Sequence, residues 1–116
     1  MTFEIDVWVR GAQHAKTHHV DSIEARGSDW GEAEVRQLVT EMLLALNREK
    51  HPGAEAPPLT MRGFSWIVSP FESGVVLHLE MHIGTVSAGP FPIDEARLTE
   101  LMTQMIKHDA PKESVH

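Results

Sequence analysis

The sequence predicts an α+β two-layer sandwich: a four- to five-stranded, mainly antiparallel sheet with two helices on one face. Three observations predict it. Two long stretches repeat apolar residues every three to four positions, the period of a helix with one buried stripe. Several shorter stretches alternate apolar and polar residues, the period of a strand with one buried face. The turn "PFESG" joins two of those alternating runs closely, which makes them a hairpin and therefore antiparallel. Two amphipathic helices suffice to cover one face of such a sheet, and the other face then stays open to water or to a partner.

The first element, "FEIDVWV", alternates strictly, with Phe3, Ile5, Val7 and Val9 on one side and Glu4, Asp6, Trp8 and Arg10 on the other. "GAQHAK" is a loop. "THHVDSIEA" is a return strand whose two faces are about equally apolar, so its register is weakly specified. The segment "SDWGEAEVRQLVTEMLLALNREKHPG" is the clearest helix. Asp29 can cap its start, with Glu32 reaching back three residues later. Val35, Leu38, Val39, Met42 and Leu46 form its stripe, Arg48 and Lys50 suit its negative end, and Pro52 and Gly53 stop it.

"PGAEAPPL" reads as a stiff loop, too short to separate two domains. "MRGFSWIVS" and "VVLHLEMHI" are the hairpin strands, sending Phe64, Trp66, Val68, Val75, Leu77, Leu79, Met81 and Ile83 to the core. Gly84 marks a bulge or turn, and "TVSAG" is a short edge strand. A second helix begins near Asp94 with the stripe Leu98, Leu101, Met102, Met105 and Ile106. The organisation is one domain over residues 1–108 and a flexible tail over 109–116.

Composition narrows the function classes. Hydrophobic residues make up 41% of 116, enough for one core. Ten basic residues against 17 acidic ones give a net charge of −7, and no window clusters Lys and Arg, which opposes nucleic-acid binding. The absence of cysteine excludes disulfides and thiolate chemistry. Glu4 and Asp6 interrupt what would be a signal peptide, and the longest apolar run, "MLLAL", is far below the ~20 residues that span a bilayer. A cytoplasmic location without membrane contact is the expectation. Eight histidines, all protonated, would carry the net charge from −7 to +1, so solubility or self-association should change near pH 5 to 6, roughly where histidine titrates.

The open face is where function is expected. It is predicted to carry Glu4, Asp6, Trp8 and Arg10, Ser65 and Ile67, and Val76, His78, Glu80 and His82. The spacing His78, Glu80, His82 raises a divalent-metal site. On a strand, however, positions four apart lie roughly 13 Å from each other, so the two histidines cannot share one ion. A workable site would need Glu80, one histidine and a first-strand carboxylate, Glu4 or Asp6, a donor set suited to zinc, nickel, iron or manganese. Plain alternation of core and solvated residues produces the same pattern and is the preferred reading, so no cofactor is expected. His18, His19 and Asp21 form a weaker cluster, since adjacent strand histidines point to opposite faces.

Trp8, with Ile67, Val76 and Arg10, suggests an apolar patch edged by charge, the make-up of a partner site. The equally weighted alternative is Trp8 lying across neighbouring strands as a cross-strand pair. Trp30 and Trp66 read as core. No nucleophile elbow, phosphate loop or dinucleotide fingerprint is present, and nothing in the spacing of Ser, His and Asp suggests a triad. The expected function is therefore a small acidic, non-enzymatic interaction protein, immunity-, antitoxin- or adaptor-like. It would use the open face to dimerise or to hold a protein partner. A metal-binding module or small metalloenzyme is the alternative.

Overall fold

The computed structural model describes residues 3–21, 23, 26, 29–53, 60–61, 63–72 and 74–109. The chain runs β1 (Phe3–Val9), β2 (Lys16–Val20), α1 (Glu32–Lys50), β3 (Ser65–Phe71), β4 (Gly74–Met81), β5 (Gly84–Phe91) and α2 (Glu95–His108). The strands form one antiparallel sheet in the order β2-β1-β5-β4-β3, open at both ends. Both helices pack on the same side of it, which is the expected α+β arrangement.

The core follows from the two periodicities. Phe3, Ile5 and Val7 of β1, Val75, Leu77 and Leu79 of β4, and Val86, Ala88 and Phe91 of β5 point inward. They meet Val35, Leu38, Val39, Met42 and Leu46 of α1 and Leu98, Leu101, Met102 and Met105 of α2, all fully or almost fully buried. Trp66, Phe64 and Val68 lie half-buried against this core, as the alternation predicts. At one end Phe91 is gripped by Phe3 edge-on at 5.1 Å and by Trp30 at 4.9 Å, ring spacings at which aromatic pairs add to simple burial. Among the described residues no polar or charged side chain is buried in this interior.

Polar links close the layers. Glu49 of α1 reaches Lys16 at 3.3 Å and His18 at 3.2 Å on β2, so the short outer strand is held to the helix layer. His108 Nδ1 lies 2.8 Å from Glu32 Oε2, bringing the end of α2 to the start of α1. Arg36 donates to Asp109 Oδ1 at 2.6 Å, while Asp109 Oδ2 accepts the Met61 N–H at 3.0 Å. Asp109, assigned by the sequence to the tail, thus joins both helices and the approach to β3. Residues 110–116 of that tail lie outside the described residues, as do residues 54–59 of the proline-rich loop and positions 22, 24 and 25 of the return strand.

Two further expectations are corrected. The cap of α1 is Gly31 rather than Asp29, and the reaching carboxylate is Glu34, which accepts the Gly31 N–H at 2.7 Å. Burial of Trp30 against Phe91 draws the chain inward first, so the helix starts after that residue rather than before it. The segment containing "TVSAG" is not a short edge strand. It is the eight-residue β5, and it lies in the middle of the sheet between β1 and β4. Its small residues, weak strand formers in isolation, suit close approach of both neighbours. A Cβ at Gly84 would run into the Trp8 carbonyl oxygen, and one at Gly89 would lie 2.8 Å from the Val75 carbonyl oxygen. Pro90 falls beyond the last β1 partner, Gly89, and beside the register shift of β4 between Val75 and Leu77, where a missing N–H breaks little of the ladder.

Candidate functional site

Because side chains alternate along each strand, burying one set fixes the other on the open face. The register then decides which of them are neighbours. The central row across the sheet is Thr17, Asp6, Ser87, His78 and Ile67, contributed by β2, β1, β5, β4 and β3 in turn. On one side of it lie Trp8, Thr85, Glu80 and Ser65; on the other lie His19, Glu4 and Gly89, then Val76 and Ser69. Two hydrogen bonds run along the central row: Thr17 Oγ1 donates to Asp6 Oδ1 at 2.6 Å, and His78 Nδ1 and Ser87 Oγ are hydrogen-bonded at 2.8 Å.

This placement separates the expected metal ligands. Asp6 and His78 lie two strands apart, roughly 10 Å between backbones, with Ser87 between them. Glu4 and Glu80 occupy rows on opposite sides of the central one, and His82 sits in the turn between β4 and β5. Among the described residues no three His, Asp or Glu side chains gather as a metal-ligand group. His18, His19 and Asp21 are likewise dispersed: His18 turns toward α1 and Glu49, whereas His19 faces outward 3.9 Å from Glu4.

The central row also brings an aspartate, a serine and a histidine together, which their spacing in the sequence did not suggest. Their order is Asp6, Ser87, His78, so the serine rather than the imidazole is in the middle. A relay needs the imidazole between hydroxyl and carboxylate, to take the proton from one and be oriented by the other. Among the described residues no carboxylate lies within ion-pair distance of His78. The row is a polar ladder and lacks the geometry of a nucleophilic triad.

The predicted partner patch is rearranged. Trp8 does not adjoin Ile67 and Val76; it belongs to a different row and lies three strands from Ile67. Its indole N–H donates to the Ala12 carbonyl at 3.0 Å, which folds the half-buried ring over the β1–β2 turn. Trp8 is therefore tied to the hairpin turn while standing opposite Thr85 of β5, and at half-burial it is not a fully exposed anchor. Arg10 is similarly committed: its Nε donates to the His82 carbonyl at 2.9 Å and its backbone N–H to the Ile83 carbonyl at 2.9 Å, strapping β1 to the β4–β5 turn.

Ile67 and Val76 keep their expected places, and a residue that sequence reasoning put in a turn joins them. Phe71 ends β3 on the same face as Ile67, four residues on. Ile67 and Phe71 are 63% and 50% exposed, the two large hydrophobic residues left in water among those described. The alternation that would have found Phe71 is real, Ile67, Ser69 and Phe71, but Pro70 and the turn residues after it mask the signal. Beside this apolar flank the face becomes acidic, through Glu4 and Asp6 on β1 and Glu80 on β4. Comparison with protein-family models, curated proteins and solved structures finds no match to the chain.

Proposed function

We propose that the protein is a small non-enzymatic interaction module whose working surface is the open face of the sheet, used to hold a protein partner or a second copy of the chain. One observation carries this reading: Ile67 and Phe71 stand in water on the face that the helices leave uncovered, beside Val76. The helix-side core is already filled by the chain's own residues, so these side chains have no interior to enter. Large aliphatic and aromatic residues exposed on a surface rich in Asp, Glu, Ser, Thr and His have the make-up of a partner site. An inhibitory or adaptor role for a basic partner in the cytoplasm suits the net charge of −7. Among the described residues no helix is long and apolar enough to cross a membrane.

The test is affinity capture from an extract of the producing cells, with light scattering of the purified chain, for the native sequence and for Ile67→Ser/Phe71→Ser. A partner or a second copy held by the native chain and lost by the variant is the expected result. Equal capture and equal mass for the two proteins would remove the open face from consideration.

A further inference from the structure

Resting on the reading of the open face as an interaction surface, we infer that its occupant is a basic amphipathic segment of another protein rather than a second copy of this chain. The face has two halves of different chemistry that meet in one shallow depression of about 460 Å³. Phe71 and Val76 border it on one side and Glu4 and Asp6 on the other, with Gly89 and Pro90 contributing to its floor. Gly89 keeps that floor low. It stands opposite Glu4, where any side chain would have to share space with the Val75 carbonyl oxygen and the Val76 Cα, 2.8 and 3.2 Å from an added Cβ. A lysine or arginine fits such a hollow lengthwise, its methylene stem along Val76 and Phe71 and its charged head at the β1 carboxylates. Apolar residues beside it in the partner would then cover Ile67.

Charge and area together select this occupant. Glu4, Asp6 and Glu80 all belong to the open face, and its one described Arg or Lys, Arg10, lies at the end of β1 and is tied to the His82 carbonyl. A second copy laid on this face would bring three more carboxylates toward the first three, an arrangement that costs association energy rather than supplying it. Nor is the apolar flank enough for self-association. Half-exposed Ile67 and Phe71 together offer roughly 200 Å², against about 800 Å² per partner in a stable interface. The rest of any interface must be made on the acidic half, and a cationic partner is what that half attracts.

The probe is a fluorescein-labelled peptide of alternating lysine and valine, with a glutamate–valine peptide as its counterpart, titrated with the full chain at about 0.15 M salt and followed by anisotropy. The lysine peptide should bind and the glutamate peptide should not. Glu4→Gln/Asp6→Asn and, separately, Ile67→Ser/Phe71→Ser should each weaken binding tenfold or more. Glu95→Gln/Glu100→Gln on α2, which removes the same charge from the exposed helix layer, should leave it unchanged. Equal losses in the two charge variants, or no binding of the lysine peptide, overturn the inference. So does binding that needs Ile67 and Phe71 but ignores Glu4 and Asp6, which would signify strand addition along β3. A dimer dispersed by Phe71→Ser and indifferent to Glu4→Gln/Asp6→Asn would make the occupant a second copy. In that case the open face remains the interface and only the basic partner is lost.

Discussion

Asp109 shows how much one residue can carry at the junction of elements. Its carboxylate takes the Arg36 guanidinium on one oxygen and the Met61 N–H on the other, so removing it leaves two donors without their partner. Hydrogen bonds to charged groups are worth about 1.5–3 kcal/mol, and partial exposure of this pair puts Asp109→Ala near the lower end, about 2 kcal/mol, measured as a drop in urea midpoint. Asp109→Asn should lose less, because one oxygen still accepts. Gly89→Ala is expected to cost at least as much: its φ of 132° is unfavourable for any side chain, and the added methyl meets backbone rather than a movable side chain. Phe71 is hidden in the sequence by the residues on either side of it. Its neighbours in sequence, Pro70 and Glu72, spell a turn, and the turn exists, with Glu72 at φ 53°, but it begins two residues later than those letters imply, after Phe71.

Among the elements, the two faces of the sheet should respond to substitution in opposite ways. Leu38→Ala in α1 or Leu101→Ala in α2 empties a fully packed site and should cost about 2–5 kcal/mol in denaturant unfolding. Ile67→Ser on β3 should change stability by no more than about 0.5 kcal/mol, since its side chain is already in water. The strands and helices were legible in the sequence wherever one face is buried: Ile5 and Val7, Leu77 and Leu79, and Leu98 and Met105 sit where their periods put them. Legibility failed at β5, because Gly84 and Gly89 sit where neighbouring backbones come close, a long-range property that local propensity does not report. It failed for the same reason at the open face. Which residues share that face follows from alternation, but whether Trp8 lies beside Ile67 depends on strand order, and two strands, β5 and β4, proved to separate them. The edge strand β2 was the least specified element, and the Glu49 side chain tethers it to α1. Glu49→Gln should speed amide exchange in residues 16–20 while changing global stability by less than about 1 kcal/mol, as expected for a partly exposed ion pair.

The sequence carries seven net negative charges and eight histidines, so its net charge depends steeply on pH in the range where imidazoles titrate. Light scattering from pH 8 to 5 should show association rising as mutual repulsion fades; a flat profile would mean that net charge does not keep the chains apart. Chain order adds a property of another kind. The middle of the sheet is the last strand to leave the ribosome, and β1 waits more than seventy residues for it. A product that stops after β4 would lack the strand that joins β1 to β4, so the apolar side chains on either side would have no common layer to enter. β5 is thus the keystone of an arch: the parts on either side cannot bear weight until it is set. Synthesis interrupted short of residue 91 should leave a chain that unfolding assays find without a transition and that proteases clear, so the architecture itself distinguishes finished from unfinished copies.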